Sequence, residues 1–301
     1  MAASKKSPAA PSAPRVVEGA PAALPLLLKA ALPAVPGVNL LPGIRRSGKA
    51  MPDLALTRHD VAIDADHVAA YAEVCGFPTK DVVPVTYPHM LAFGLHMAIM
   101  TDSSFPFPAI GTVHLENSIT QHRPLSATEK VQVTVRPGEV RPHAKGRAFD
   151  LVSQVHAAGE LVWEETSTFL RIGKGDASAP AGTTIPEAAP TGSVWRLPGD
   201  LGRRYAAVSG DHNPIHLHPL TAKALGFPRH IAHGMWSKAR CLATLENRLP
   251  DAVRIDVAFK KPILLPGSVA FGSRPLEDGY AFSLSSPKSG APHLAGRTST
   301  L

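Results

Sequence analysis

The stretch Tyr205-Ala206-Ala207-Val208-Ser209-Gly210-Asp211 has a counterpart earlier in the chain, Tyr71-Ala72-Glu73-Val74-Cys75-Gly76-Phe77. The two stretches share tyrosine, alanine, valine and glycine at the same places, with an offset of 134 residues. A second matched pair of stretches contains Pro124 and Pro262, at an offset of 138 residues. Two matched landmarks at nearly one spacing indicate an internal duplication.

The same order of elements is predicted in each copy: a short helix ending at glycine, a loop, an apolar helix and several strands. Apolar content predicts the second helix at 88–100 and 234–247. Strands are predicted at 111–121, 129–135, 148–156, 161–172, 253–259, 268–273, 281–286 and 293–298. The fold class is therefore α+β. A long helix beside an antiparallel sheet is buried only if the sheet curls around it, which predicts a double hot dog of two tandem repeats.

The chain divides into four predicted segments. Residues 1–50 form a basic, Ala/Pro-rich N-terminal arm, partly disordered, and residues 51–172 form the first hot-dog repeat. Residues 173–193, rich in Gly, Ala, Pro and Thr, form a linker, and residues 194–301 form the second repeat. Within the arm, residues 1–20 are expected to be disordered and residues 21–50 to pack their leucines on the folded body.

Charge and composition exclude several classes of protein. The net charge is +7, but the arm holds seven basic residues and one acidic residue, so nucleic-acid binding by the body is not expected. No stretch reaches the ~18 apolar residues of a membrane span, and prolines interrupt every candidate signal peptide. A transit peptide remains a minor alternative. Because there are only two cysteines, a cytoplasmic protein without a disulfide framework is expected.

Acid/base chemistry is indicated by Ser209-Gly210-Asp211-His212-Asn213-Pro214-Ile215-His216, which places a carboxylate and an imidazole five positions apart across a turn. Farther on, His233 and Gly234 open an apolar run, and an exposed helix N-terminus can bind an oxyanion. An Asp-x-Asn-Pro segment alone is also an ordinary turn that caps a helix. The length of the whole pattern favours catalysis over that structural interpretation.

The second copy resembles the hydratase motif of the MaoC-like dehydratases, the group that includes R-specific enoyl-CoA hydratases. The resemblance rests on Tyr205 through His216 and on Ile231-Ala232-His233-Gly234-Met235. From about Met51 onward the chain further resembles actinobacterial 3-hydroxyacyl-thioester dehydratases built as two hot dogs, in which the first copy has lost the motif. This resemblance implies reversible hydration of trans-2-enoyl thioesters carried by coenzyme A or acyl carrier protein, in fatty-acid metabolism, without a cofactor or metal.

The predicted roles follow the needs of that reaction. His216 titrates near neutrality and suits the base, whereas Asp211 needs burial to donate a proton or else orients water. The Gly234 amide is the predicted oxyanion donor, and Asn213 fixes the turn. Tyr205 and Ser209 are expected beside the pair, although a buried tyrosine is more often core, and His233 either lines the site or caps the helix. The helix at 88–100 is expected to carry no acid/base pair. Its Phe93, Leu95 and Met97 either line a tunnel for the acyl chain or are core residues at helical spacing, and the core interpretation is favoured for any one of these side chains.

Other interpretations stay open on the sequence alone. His212 and His216 have the spacing of metal ligands on one helical face, but Pro214 argues against a continuous helix. Lys260 and Lys261 either meet the phosphates of coenzyme A or form a solvated edge. Thioesterases share the hot-dog fold, and a non-catalytic acyl-thioester binding subunit is a further alternative. A homodimer is possible.

Overall fold

The computed structural model describes residues 12–21, 25–26, 50–109, 111–180 and 182–301. The first half contains β1 Arg15–Val16, β2 Leu56–Ala62, α1 Ala65–Cys75, α2 Pro88–Met100, β3 Thr112–Gln121, β4 Lys130–His143, β5 Gly146–Ala157 and β6 Glu160–Ile172. The second half contains β7 Ser193–Leu197, α3 Leu201–Ser209, α4 Pro214–Leu217, α5 Pro219–Ala224, α6 Gly234–Leu245, a 3-10 turn Glu246–Arg248, β8 Val253–Phe259, β9 Gly267–Pro275, β10 Gly279–Ser285 and β11 Pro292–Thr300.

The strands of the described residues form one sheet in the order β1-β2-β4-β5-β6-β3-β8-β11-β10-β9-β7. The order β2-β4-β5-β6-β3 on one side is repeated as β7-β9-β10-β11-β8 on the other. The two halves meet at β3 and β8, where Asn117 pairs with Val257 and Ile119 pairs with Ile255. With an offset of 138 residues, Asn117 corresponds to Ile255 and Ile119 corresponds to Val257, so the relation between the two halves converts one pair into the other. The duplication in the sequence therefore appears as a pseudo-twofold axis in the sheet. This is the double hot-dog architecture expected from the sequence.

The short helices α1 and α3 end in the same way because each is followed by a glycine with a left-handed backbone. Gly76 has φ 78° and Gly210 has φ 72°. Glycine adopts this conformation without the steric cost that a side chain would add. At the other end of α1, the Asp64 side chain accepts hydrogen bonds from the Asp66 and His67 N–H groups. The matched stretches of the sequence are therefore matched helix ends.

The long helices α2 and α6 are enclosed by the curled sheet. In α2, Ala92, Leu95 and Ile99 are buried, a spacing of three and four residues that places them on one face of the helix. In α6, Ala239 and Leu242 are fully buried in the same way. Both helices contribute to one hydrophobic core that includes strands of both halves. No helix of the described residues is long and apolar enough to cross a membrane.

Several boundaries differ from the sequence prediction. Strand β4 extends to His143, because it pairs across its full length with β5 after an irregularity between Pro137 and Val140. The predicted helix at 234–247 ends at Leu245 and tightens into the 3-10 turn. The short strands β1, β2 and β7 were not predicted. The segment boundaries of the two repeats and of the linker stay a prediction.

Disorder over residues 1–20 was a wrong prediction for residues 12–20. The Arg15 N–H donates to the Ala55 carbonyl at 2.8 Å, and the Val17 N–H donates to Thr57 at 2.8 Å. These bonds extend the sheet by one short parallel strand beside β2. The predicted packing of leucines from residues 21–50 lies largely outside the described residues. Leu26 is described, and it lines the cavity discussed below.

Candidate active site

Asp211 and His216 are positioned by a turn between α3 and α4. The Asp211 N–H donates to Ser209 Oγ at 3.1 Å, and the Asn213 N–H donates to Asp211 Oδ1 at 3.1 Å. Asn213 then caps α4, where its side-chain oxygen accepts from the Ile215 N–H, and Pro214 occupies the first turn of the helix. One Asp211 carboxylate oxygen is therefore fixed by the backbone, while the other is directed at the imidazoles.

The second Asp211 oxygen faces the Nε2 atoms of two histidines whose rings stack on each other. Asp211 Oδ2 is 4.0 Å from His216 Nε2 and 3.8 Å from His233 Nε2. The two rings stack with centroids 3.7 Å apart. A separation of 4.0 Å is too long for a direct hydrogen bond, but one oxygen atom can lie at ordinary hydrogen-bonding distance from both groups. The pair is thus spaced to hold a water molecule or a substrate hydroxyl.

The backbone around His216 decides which of its ring nitrogens is available. His216 Nδ1 lies 2.8 Å from the Ile231 carbonyl oxygen, to which it can only donate. In the neutral ring the lone pair therefore resides on Nε2, the atom that faces Asp211. His233 Nε2 likewise donates to the Asp211 backbone carbonyl at 3.0 Å. His216 is oriented as a base, whereas His233 is oriented as a donor.

Burial and neighbouring charges act in opposite directions on the pKa values of Asp211 and His216. Burial acts to raise the pKa of Asp211, but His233 and His216 outweigh it, so the pKa lies below the ordinary value. Burial lowers the pKa of His216, and the neighbouring Asp211 offsets only part of this effect. Burial lowers the pKa of His233 to about 3. At neutral pH the site therefore holds a carboxylate between two neutral imidazoles.

Gly234 begins α6, directly after His233. The N–H groups of the first turn of a helix have no partner within the helix, so the Gly234 amide is available to a ligand. A Cβ atom at this position would lie 3.2 Å from Cε1 of the Phe259 ring. Glycine therefore lets the aromatic wall of the site approach the backbone donor closely.

A cavity of about 760 Å³ connects these groups. Asp211, His216 and Gly234 all line it, and its opposite wall comes from α2 of the first half, with Phe93 and Met97. Ala20, Pro21 and Leu26 of the arm also line it. The volume lies within the range typical of small-molecule sites, and it is shared between the two halves of the chain.

Comparison with known proteins identifies the family. A family model described as MaoC like domain matches residues 193–273. The curated protein 3-hydroxyacyl-thioester dehydratase X of Mycobacterium tuberculosis (strain ATCC 25618 / H37Rv) is 40% identical over 280 residues, covering 91% of this chain and 96% of that protein. The chain belongs to the MaoC-like dehydratases.

Solved structures agree with this membership. The crystal structure of HtdX from Mycobacterium tuberculosis matches this MaoC-like dehydratase with a TM-score of 0.74 at 40% identity, covering 82% of this chain and 100% of that chain. A MaoC-like dehydratase from Phytophthora capsici has the same fold, with a TM-score of 0.63 at 20% identity, covering 82% and 94% of the two chains. The family, the double hot-dog fold and the hydro-lyase class expected from the sequence are confirmed.

The remaining predicted residues of this MaoC-like dehydratase lie close to the pair. Tyr205 is buried and lines the cavity, with its ring centroid 4.9 Å from that of His233. His233 occupies the N-cap position of α6 without a side-chain capping bond, and its ring lines the cavity. Lys260 and Lys261 are exposed residues at the cavity wall beside His293.

Of the three apolar side chains considered on α2, Phe93 and Met97 line the cavity, whereas Leu95 is a core residue, the interpretation favoured for any one of them. One expectation for this helix was wrong. The helix α2 does contribute to an ionisable pair, since His89 Nδ1 lies 2.8 Å from Glu165 Oε1 of β6. The partner lies 76 residues away in the sequence, so no local motif indicated the pair.

Two sets of residues in the described part of the chain have the geometry to hold a metal ion. One set is Asp211, His216 and His233, and the other is His89, His96 and Glu165, with ligand atoms within 4.8 Å of one another in each set. The helical pair considered on the sequence does not form, because α4 begins at Pro214 and leaves His212 outside it. His218 is exposed and caps α5, and His230 Nε2 lies 2.7 Å from the Gly199 carbonyl oxygen.

Proposed function

We propose that this MaoC-like dehydratase interconverts trans-2-enoyl thioesters and (R)-3-hydroxyacyl thioesters, with Asp211 and His216 as its acid/base pair. The observation that carries the proposal is the 4.0 Å gap between Asp211 Oδ2 and His216 Nε2, which opens onto the same cavity as the Gly234 amide. Hydration needs a held water molecule, a base and a donor for the thioester oxygen. Asp211, His216 and the Gly234 amide meet all three requirements.

In the hydration direction, a water molecule donates one hydrogen bond to the Asp211 carboxylate and the other to His216 Nε2. His216 accepts a proton as the water oxygen forms its bond to C3 of the enoyl group. The electron pair of the C2–C3 double bond moves toward the thioester carbonyl, and the Gly234 N–H stabilises the negative charge that develops on that oxygen.

The second half of the cycle returns the proton. The protonated His216 ring, stabilised by the nearby Asp211 carboxylate, delivers its proton to C2, which yields the 3-hydroxyacyl thioester and restores the neutral imidazole. Dehydration follows the same steps in reverse, with His216 taking the C2 proton and the hydroxyl leaving as water. Ser209, Asn213 and Tyr205 position the pair, and His233 packs against it.

The carrier of the acyl group is a phosphate-bearing thioester. Lys260 and Lys261 at the cavity wall support this part of the proposal, because their ammonium groups suit the phosphates of coenzyme A or of a phosphopantetheine arm. Both carriers share that chemistry. A cytoplasmic location is supported by Cys75 and Cys241, which are buried free thiols. We also propose that two copies of the chain form a homodimer.

The test uses crotonyl-CoA and two active-site variants. We expect loss of enoyl absorbance without release of free thiol in the wild-type chain. Asp211→Asn and His216→Ala should each reduce kcat/KM by about 10²–10⁴-fold, the usual contribution of a general acid or base. Asp200→Asn and His218→Ala are matched controls, because both side chains are exposed and lie outside the cavity lining.

Each alternative gives a different result in the same assay. Release of free thiol identifies a thioesterase that attacks the carbonyl carbon. Binding of the thioester without turnover identifies a non-catalytic binding subunit. Full activity of either active-site variant would overturn the assigned roles while leaving the reaction class intact.

A further inference from the structure

A charged network is buried beneath α2, outside the catalytic pair. Glu165 on β6 is 1% exposed and His89 is 4% exposed. The Glu165 carboxylate contacts His89 Nδ1 at 2.8 and 2.9 Å and accepts a hydrogen bond from Asn117 Nδ2. The His96 Nε2 atom lies 2.7 Å from Ser153 Oγ. Burial of ionised groups costs free energy even when they are paired, so such a network requires an explanation.

The second half of the molecule shows that the fold does not need this network. Glu165 pairs with Ser153 and Ile119, and the equivalent register on the other side pairs Gly296 with Phe282 and Val257. Gly296 thus stands where the first half has Glu165, and Phe282 stands where it has Ser153.

The aromatic ring fills the space that the carboxylate takes in the first half. A Cβ atom on Gly296 would lie 2.3 Å from Phe282 Cζ. The same position in the same fold is therefore compatible with an apolar core. The architecture alone therefore does not account for the ionised network in the first half.

His89 connects the network to the catalytic cavity. It lines the cavity together with Asp211, and it is close enough to contribute to the lowered pKa of that carboxyl group. The Glu165 carboxylate accepts a hydrogen bond from Nδ1 of His89, and Nε2 of His89 has no hydrogen-bond partner among the described residues. His96 also lines the cavity, and its Nδ1 has no partner among the described residues. A carboxylate that holds one nitrogen of an imidazole orients the other toward a ligand.

The wall around His89 also contains the apolar side chains of Met90, Phe93 and Met97 on α2 and Phe169 on β6. The buried His114 ring stacks on Phe169, and its Nε2 has no partner among the described residues. An unsubstituted acyl chain would leave the His89 ring nitrogen without a hydrogen bond. We propose that His89, held by Glu165, binds a hydroxyl group carried by the acyl chain beyond C3. The inference rests on the proposed function and names its substrate class: enoyl thioesters with a hydroxylated chain.

A hydroxyl suits the network better than an ion does. Hydroxyl groups donate to the neutral imidazole and accept from the protonated one, so the bond forms in either state. The buried Glu165 carboxylate disfavours an anionic group on the chain. Although His89, His96 and Glu165 have ligand atoms within 4.8 Å of one another, His96 Nε2 lies 2.7 Å from Ser153 Oγ and the Glu165 carboxylate accepts a hydrogen bond from Asn117 Nδ2, so neutral side chains already engage two of the three ligands.

The experiment compares trans-2-octenoyl-CoA with derivatives hydroxylated in turn at each carbon from C4 to the chain end. We expect one position to raise kcat/KM above the parent thioester by about tenfold, the effect of one additional hydrogen bond. His89→Leu and Glu165→Gln should bring that ratio close to unity. The ratio is measured within each variant, so a general loss of folding or activity does not mimic the result. His122→Leu is the matched control, because His122 lies outside the cavity lining.

The outcomes separate this inference from the proposed function. Turnover of octenoyl-CoA with no hydroxylated derivative preferred would overturn the inference alone. Turnover of none of the thioesters would overturn the proposed function, and calorimetric affinities for octanoyl-CoA and its hydroxylated derivatives would then decide the inference separately. A preference that persists in His89→Leu would assign the hydroxyl to a different residue.

Discussion

The ring of Phe259 packs against the backbone of Gly234 so closely that three of its carbons lie 3.2 to 3.3 Å from the place of a Cβ atom. The contact ties the proposed oxyanion donor to the aromatic wall of the cavity. We expect Gly234→Ala to displace the ring or the amide by a few tenths of an ångström and to lower kcat/KM by about tenfold. Stability should change little, because alanine is the better helix former.

The rescue of this variant is measured in a double mutant. Phe259→Leu removes the carbons that a methyl group at position 234 would meet, so Gly234→Ala/Phe259→Leu should recover activity relative to Gly234→Ala. Steady-state kinetics with crotonyl-CoA and thermal unfolding of the three variants provide the measurement. Equal activity of Gly234→Ala and wild type would show that the Phe259 ring yields to the methyl group and that this contact does not position the amide.

The pH dependence of hydration should report His216. Its pKa lies below the ordinary value of 6.5 because burial disfavours the charged ring. The neutral base is therefore present above that lowered pKa, and kcat/KM should stay constant from pH 8 to about 6.5 and fall only in more acidic solution. The profile of kcat/KM reports groups of the free enzyme.

The pH dependence of kcat/KM in Asp211→Asn is compared with that of the wild-type chain. The Asp211 carboxylate acts to raise the pKa of His216, so its removal should move the acidic midpoint still lower in the residual activity. A midpoint above 6.5 in the wild-type chain, or an upward movement in the variant, would contradict the assignment of His216 as the base.

The sequence predicted the second half of the site better than the first, for a physical reason. Asp211, Asn213 and His216 are joined by local hydrogen bonds within one turn, so their residue types and spacing carry the geometry. The pair of His89 and Glu165 depends on two elements far apart in the chain. The periodicity of α2 also could not decide which of its apolar residues face the cavity, as Leu95 shows.

Strands β2 and β7 were missed on similar grounds. Strand β2 has an irregular pairing between Arg58 and Val61, which interrupts the alternation that predicts a strand. Strand β7 is only five residues long. Their place beside β4 and β9 is set by the curl of the sheet rather than by local propensity.

The buried His96 should make the protein sensitive to acid. Burial lowers the pKa of His96 to about 3 from the ordinary value of 6.5. Between these values the unfolded chain binds a proton that the folded chain does not, so stability falls as the pH falls. His96→Leu should reduce the slope of unfolding free energy against pH by about 1.4 kcal/mol per unit between pH 4 and 6.

Urea unfolding at a series of pH values measures this slope. His59→Leu is the matched control, because the side chain of His59 is exposed in the folded protein. An unchanged slope in His96→Leu would show that this ring becomes charged in the folded state.

The arm should influence which acyl chains are accepted. Its backbone is fixed beside β2 at Arg15 and Val17, and Pro21 lies against α2 at Gly94, where a Cβ atom would be 3.2 Å from Pro21 Cδ. Leu26 lines the same cavity. A chain long enough to reach Leu26 gains about 0.8 kcal/mol for each methylene that it buries there.

Leu26→Ser should therefore lower the ratio of kcat/KM for long enoyl-CoA substrates to that for crotonyl-CoA by several-fold. A ladder of enoyl-CoA lengths locates the chain length at which wild type and variant diverge, and that length measures the distance from the acid/base pair to the arm. Val16→Ser is the matched control, because Val16 is an exposed residue of the same arm. An equal loss at every length would show instead that Leu26 acts on the fold or on the acid/base pair, since an effect on chain binding must grow with the length of the chain.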